Sequence, residues 1–439
     1  MSARYPVSDR AGYWPANKIK YETVWGGTYM IHAAILGFGV VGSGVAEVMK
    51  MNEKQLEQHL GEPIRVKKIL DVRDFPGNPF EDLFTKNADD VFEDPEISVV
   101  AETIGGVGIA YEFTKRALSK GKSVVTSNKE LVARHGVELM QLASMNHCIY
   151  LFEASVGGGI PIIRPLHRCL AANRISKIAA IINGTTNYIL TQMTEAGTDF
   201  QTALSEAQAK GYAERNPSTD IDGIDAARKI AILASIIMNG AYVDSELIHT
   251  EGISAVTQED IAYARALGSK IKLLAIFRHP EDDVNSAIVA PHIVSSEDPI
   301  CVASGVFNAI SVRGNAIGDV MFYGQGAGKF ATASAVVGDI LDAALHHDRS
   351  AHITTWFKAD EPIMAPHGDS AVKALIRLPG GYDESVIGKA LPGIDRQKLD
   401  SVIGNEDAYI VGMEGHLNEH LLAEGISKMP GLIRSIRIY

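Results

Sequence analysis

Three cysteines in 439 residues, Cys148, Cys169 and Cys301, are too few and too widely spaced for a disulfide framework or a zinc site. They suit core packing in a reducing cytoplasm. Long apolar runs are missing too: none reaches the roughly 18 residues that a membrane helix needs. Positive charge is in deficit, with 41 Lys and Arg against 53 Asp and Glu and a net charge of −12. That balance gives nucleic acid or an anionic membrane nothing to attract it. What the chain has is apolar residues, at 46 %, and 41 glycines. This is enough for two or three domains with many tight turns, as in an α/β enzyme.

Met1 to Tyr29 has no apolar core segment and lacks the pattern of a secretory signal. It reads as an N-terminal extension (1–30), with Met30 a second candidate start immediately before the first strand. Ile31 to Leu36 is a buried strand by composition. Gly37-Phe38-Gly39-Val40-Val41-Gly42 follows and runs into a helix from about Val41. A G-x-G-x-x-G is informative only between a strand and a helix, which is where this one stands. Gly37 makes the tight turn, Gly39 admits a pyrophosphate to the backbone, and Gly42 lets helix pack on strand. The second strand, Ile64 to Val72, ends in Asp71-Val72-Arg73-Asp74. An acid there favours the ribose hydroxyl of NAD and an arginine the 2′-phosphate of NADP, so preference between the two stays open.

Ile97 to Thr103 reads as a third strand, followed by a helix over 109–120 and a strand over 123–126. Lys129 then falls where open α/β sheets bind ligands, or is an exposed lysine in a capping loop. A helix over 131–145 and a strand over 148–153 complete the alternation, which predicts a parallel sheet. Glu153 opens EASVGGGIPII. Its glycines could turn carbonyls, with the Glu153 carboxylate, towards a hard cation, or simply turn the chain between domains. A helix is expected over 161–172 and a strand over 175–182. Asn183 to Tyr188 then caps a helix or lines a pocket.

The stretch Ile221 to Asn239 reads as one long helix, apolar almost all round after its first turn. Asp225 and Lys229 sit four apart on one face. A surface ion pair is the plain alternative, but a lysine followed by IAILASII has no polar face to reach water. Burial disfavours its charged form and suits it to proton exchange. Glu214, Asp220, Asp222 and Asp225 around one lysine suit the helix dipole or an ammonium-bearing substrate.

GFGVVGSG, SNKELVA, FEASVGGGIPII, IINGTTNYILTQM, GYAERNPSTDIDGIDAARKIAIL and FYGQGAGKFATASAVVGDI occur in this order over 31–345. Together they resemble homoserine dehydrogenase. The resemblance implies NAD(P)-dependent interconversion of L-homoserine and L-aspartate 4-semialdehyde, towards threonine, methionine and isoleucine. It implies Lys229 as proton donor, with Lys129 and Asp225 beside it. Glu214, Asp225 and Asp220 are the implied substrate ligands. Gly37, Gly39, Val40, Val41, Gly42, Arg73, Thr103, Lys129, Gly211 and Gly326 are implied at the NADP or NAD site. Glu153, Val156, Gly158 and Ile160 match the family's Na⁺ or K⁺ loop, three of them implied to act through backbone carbonyls. The chain departs from the family pattern at Ser127, Gln325 and Ala331, where no charged group is lost.

The expected architecture is α/β. A Rossmann-type parallel sheet (31–160) is completed by a returning helix (330–348). An α+β substrate and dimerisation domain (161–329) is inserted. A small βαββαβ domain (349–439), ACT-like in layout, is regulatory, with threonine a candidate effector, or structural. The apolar helix at 230–238 suggests a homodimer. Another amino-acid dehydrogenase and a non-catalytic sensor are the competing readings.

Overall fold

The computed structural model describes residues 30–281, 284–346, 355–400 and 402–439. The expected extension over 1–29 lies outside the described residues. The first domain runs β1 (Ile31–Leu36), α1 (Val40–Met51), α2 (Glu53–Leu60), β2 (Ile64–Leu70), β3 (Phe84–Thr85), α3 (Asp89–Phe92), β4 (Ile97–Glu102), α4 (Gly108–Ser119), β5 (Ser123–Thr126), α5 (Lys129–Met145) and β6 (Tyr150–Leu151). Its six strands form one parallel sheet in the order β3-β2-β1-β4-β5-β6. The strand order reverses between β1 and β4, which opens a crevice at their C-terminal ends. β1, β4 and β5 are apolar runs because helices cover both faces.

The second domain runs β7 (Ile175–Ile181), α6 (Gly184–Glu195), α7 (Phe200–Ala209), α8 (Ser218–Ile221), α9 (Ile224–Ile237), β8 (His249–Thr250), α10 (Gln258–Ala266), β9 (Ser269–Arg278), β10 (Ser286–Ser295), β11 (Phe307–Gly314) and β12 (Gly318–Gln325). Then α11 (Lys329–Leu345) returns to the first domain, where Ala333, Val336, Val337 and Ile340 share a core with β1 and α1.

Three expectations are corrected here. The helix expected over 161–172 is a single π-helical turn, Pro165–Cys169. The long helix expected over 221–239 is interrupted: Gly223, at φ +83°, ends α8 and starts α9. The apolar length of α9 is no dimer face either. Residues 229–236 are all buried within the one chain, so the helix is apolar all round because its own domain surrounds it.

The third region is β13 (Ala374–Pro379), α12 (Glu384–Ala390), β14 (Arg396–Lys398), β15 (Glu406–Val411), α13 (Glu419–Ser427) and β16 (Arg434–Ile438), the expected βαββαβ order. It is joined edge to edge to the second domain. β16 pairs in parallel with β10 at His292↔Arg437 and Ile293↔Ile438, giving one mixed sheet β12-β11-β7-β9-β10-β16-β13-β15-β14. Ion pairs reinforce the join. Buried Arg377 meets Asp260 of α10, and Arg437 donates to Glu251 at 2.8 Å and to Glu419 at 2.6 Å.

Candidate active site

The β1–α1 turn is built for close approach. Gly37 has φ +87°, and its N–H donates to the Leu70 carbonyl at 2.8 Å. A Cβ on Gly42 would lie 2.0 Å from the Gly37 carbonyl oxygen, so helix and strand meet here only through glycine. A Cβ on Gly39 would meet nothing within 4 Å, which leaves that side open to a ligand. No side chain caps α1, so its first N–H groups face the crevice. Val40 stands exposed there and Val41 half-buried.

Thr103 supports this turn. Its hydroxyl lies 2.8 Å from the Gly37 carbonyl and 3.0 Å from that of Leu36. Asp71 supports it as well, accepting the Phe38 N–H at 2.7 Å. Both Asp71 oxygens also take the Arg73 fork at 2.9 Å, and this holds the Asp71 carboxyl well below its usual range. Two supports escaped the sequence reading. Fully buried Glu102 accepts the N–H groups of Ile104 and Gly105 at 2.8 and 3.3 Å and the Thr126 hydroxyl at 2.6 Å. Asn128 caps α5 and bonds the Gly106 carbonyl. An acid at the end of the apolar strand ISVVAET was the available signal.

Across the crevice, one carboxylate holds two lysines. Asp225, 1 % exposed, meets Lys229 through Oδ2 at 2.7 Å. Its Oδ1 faces the Lys129 ammonium, brought from the start of α5 in the other domain. The Lys229 ammonium also donates to the Ile182 carbonyl at 2.7 Å. The two lysines differ. Lys229 is 8 % exposed, and its burial pushes it below the ordinary lysine range despite Asp225. Lys129 keeps 37 % of its side chain exposed; burial pulls it down, but Asp225 more than offsets this and raises it. Between two ammonium groups, Asp225 is held well below the usual carboxylate range although buried.

Asn183 organises the acids, a role its reading as a cap concealed. It does cap α6, accepting the Thr186 N–H at 2.9 Å. Its amide also donates to Asp220 at 2.7 Å and to Asp225 at 2.8 Å. Asp220 is raised, chiefly by burial and partly by Asp225. Glu214 and Gly211 lie on the turn after α7, tied to α6 by the Thr185 hydroxyl on the Tyr212 carbonyl at 2.6 Å. Glu214 is exposed, and its carboxylate pairs with no described residue.

At Glu153 the structure corrects one expectation. Its carboxylate is not aimed at a cation: it accepts the N–H groups of Ile162 and Ile163 at 2.6 and 2.8 Å and of Arg164 at 2.7 Å. Those donors take both positions of Oε1 and one of Oε2. The carbonyls of Val156, Gly158 and Ile160 accept no hydrogen bond from the described residues, so the loop still offers three free oxygens. Among the described residues no group of three or more His, Cys, Asp or Glu side chains is placed to hold a metal. Gly158 packs on Gly326, where a Gly158 Cβ would lie 2.4 Å from the Gly326 carbonyl oxygen.

Known proteins resemble this chain in sequence and fold. Residues 37–153 match a family model described as homoserine dehydrogenase, NAD binding domain, and residues 161–341 one described as homoserine dehydrogenase. The homoserine dehydrogenase of Bacillus subtilis (strain 168) is 41 % identical over 315 residues, 71 % of this chain and 72 % of that protein. That of Synechocystis sp. is 43 % identical over 319 residues, 71 % and 73 % of the two chains. The crystal structure of a homoserine dehydrogenase from Thiobacillus denitrificans superposes with a TM-score of 0.84 at 36 % identity, covering 93 % of this chain and 98 % of that one. A hyperthermophilic archaeal homoserine dehydrogenase in complex with NADPH superposes with a TM-score of 0.61 at 31 % identity, covering 72 % and 98 %.

Proposed function

The chain belongs to the homoserine dehydrogenase family of NAD(P)-dependent oxidoreductases, and from that premise we propose that the Lys129–Asp225–Lys229 cluster carries its chemistry. The observation behind this is one buried carboxylate shared by two lysines from different domains, at the mouth of a dinucleotide crevice. The bound nicotinamide supplies the hydride for aldehyde reduction or accepts it in homoserine oxidation. Lys229 delivers the proton to the aldehyde oxygen, because its depressed affinity lets it give the proton up and take it back. Lys129, the better-held cation, stabilises the negative charge growing on that oxygen. Asp225 fixes both ammonium groups. Asp220 and exposed Glu214 take the substrate ammonium.

Arg73 supports NADP as the preferred cofactor. Asp71 is already engaged by Arg73 and by the Phe38 N–H, while the guanidinium stays more than half exposed at the end of β2. A 2′-phosphate suits it better than a ribose hydroxyl suits Asp71. The carbonyls of Val156, Gly158 and Ile160, with the main chain of Glu153, fit a monovalent cation. Bound there, Na⁺ or K⁺ would rigidify the loop packed on Gly326 beside the nicotinamide. The C-terminal βαββαβ unit is read as an ACT-like regulatory domain with threonine as candidate effector. Self-association is placed on edge strand β12, which exposes Met321 and Tyr323.

One assay tests these readings. Reduction of L-aspartate 4-semialdehyde is followed by nicotinamide absorbance with NADPH or NADH, with and without K⁺, Na⁺ and threonine. Turnover favouring NADPH, raised by the cation and lowered by threonine, is expected. Tight cofactor binding without turnover would move the protein to the sensor reading. Kinetics unmoved by excess threonine would make the C-terminal domain structural.

A further inference from the structure

Three cations stand side by side on one face of the mixed sheet. Arg313 of β11 lies directly opposite Lys177 of β7, and Lys177 directly opposite Arg278 of β9. Opposed residues share a face, and like charges so placed destabilise a sheet. At one end the row is neutralised, since Arg313 is held by Asp319 of β12 at 2.7 and 2.8 Å. At the other end it is not. Lys177 and Arg278 are half-buried, and neither makes an ion pair or side-chain hydrogen bond with any described residue. The Lys177 ammonium rests only on the ring of Tyr439, at 4.0 Å. Asp298 lies near Lys177 and favours its charge but forms no ion pair with it; its Oδ1 caps the Ile300 N–H at 2.9 Å. Burial and the neighbouring arginines lower Lys177 to about 8, which marks a site short of negative charge.

The uncompensated end opens on space. Arg278 lines a cavity of about 400 Å³ at the seam between the second domain and the C-terminal region. That is room for a small molecule. Ser286, opposite Arg278 on β10, and Lys373 join it in the wall, and Ile276, Ile288 and Ile438 supply an apolar side. The wall's acids are Glu419, bound by Arg437, and exposed Asp369.

We infer that this seam cavity binds a small oxyanion, with Arg278 of its wall as the counter-charge, Lys177 beside Arg278 on the next strand adding to the positive field, and the isoleucines accepting an apolar body, the composition of a short organic carboxylate. The guanidinium fork matches a carboxylate or a phosphate. The site is separate from the Lys129–Asp225–Lys229 cluster, and the inference does not depend on the catalytic reading.

The test uses the full chain in Bis-Tris chloride at neutral pH. Sodium butyrate, sodium phosphate and sodium chloride are titrated at equal sodium, with Tm and calorimetric binding as readouts. Butyrate should raise Tm above the chloride control; a response to phosphate alone would instead assign a phosphoryl ligand to the same cations. Arg278→Gln and Lys177→Gln should weaken the oxyanion response about tenfold or more. Both should also raise Tm in the absence of oxyanion, since each removes like-charge repulsion, whereas a merely structural arginine would lower it. Lys177→Gln leaves the cavity wall intact and carries the test if Arg278→Gln does not fold. Indistinguishable responses to the three salts, or an unchanged response in both variants, would overturn the inference.

Discussion

Asp225 meets two lysines and Asn183, and each contact was legible to a different degree. The pairing with Lys229 follows from a spacing of four on a helix. The contact with Lys129 is invisible along the chain, because 96 residues separate the two and only the domain arrangement joins them. Asn183 was legible as a cap but not as the donor that holds Asp220 beside Asp225. At Glu153 residue type misled: a carboxylate in a glycine loop suggests a cation ligand, yet three backbone N–H groups claim it. Removing the Asn183 amide leaves buried Asp225 and half-buried Asp220 without their shared donor, a loss of about 1.5–3 kcal/mol for hydrogen bonds to charged groups. Asn183→Ala should therefore lower kcat/KM about tenfold to a hundredfold while leaving NADPH affinity unchanged. An unaltered kcat/KM would mean that the two acids hold their places without it.

At the scale of elements, β1, α1, β2, β4, α4, β5 and α5 of the nucleotide domain were readable because their period is unmixed and their turns carry glycine, whereas the short α2, β3 and α3 were not expected. The break between α8 and α9 was not, because Gly223 sits in an otherwise helical pattern and only its positive φ reveals the turn. Strand β9 hides a further charge. Lys272, 2 % exposed, has no carboxylate partner among the described residues and is held by the Asn187 side-chain oxygen at 3.0 Å and the Ala303 carbonyl at 2.7 Å. Burial lowers it to about 8. The unfolded chain then binds more protons than the folded one between about 8 and the ordinary 10.5, so stability rises with pH across that window. That interval corresponds to about 3 kcal/mol. Lys177, also lowered to about 8, contributes in the same direction. Denaturant unfolding from pH 7 to 10 should show a shallower rise for Lys272→Met than for the native chain. Parallel curves would mean that Lys272 stays charged in the folded chain across this range, its affinity for the proton not lowered by burial.

In the whole molecule, the lysine–aspartate cluster exists because one domain brings Lys129 to the Asp225 and Lys229 of another. The sequence predicted both domains and the returning helix α11. It did not predict that the C-terminal unit extends the second domain's sheet, since strand pairing at the β10–β16 seam leaves no local pattern. Of the sheet and central helix expected to carry self-association, the helix is not free to do so. α9 is consumed inside its own domain, and β12 is the edge of the second domain's part of the sheet, β14 being the edge at the far end. For the proposed interface on β12, Tyr323→Glu should lower the mass read by light scattering at micromolar concentration from that of a dimer to that of a monomer; a mass unchanged by the substitution would contradict an interface on β12.

The division of labour between the two lysines is the centre of the account, and one comparison addresses it directly. NADPH affinity and kcat for reduction of L-aspartate 4-semialdehyde are measured together in the native chain and in Lys229→Ala. Loss of a positioned proton donor costs about a hundredfold to ten-thousandfold in kcat. A fall of that size, with NADPH affinity preserved, is the predicted result. Near-native kcat in Lys229→Ala would contradict the assignment of Lys229 as the proton donor.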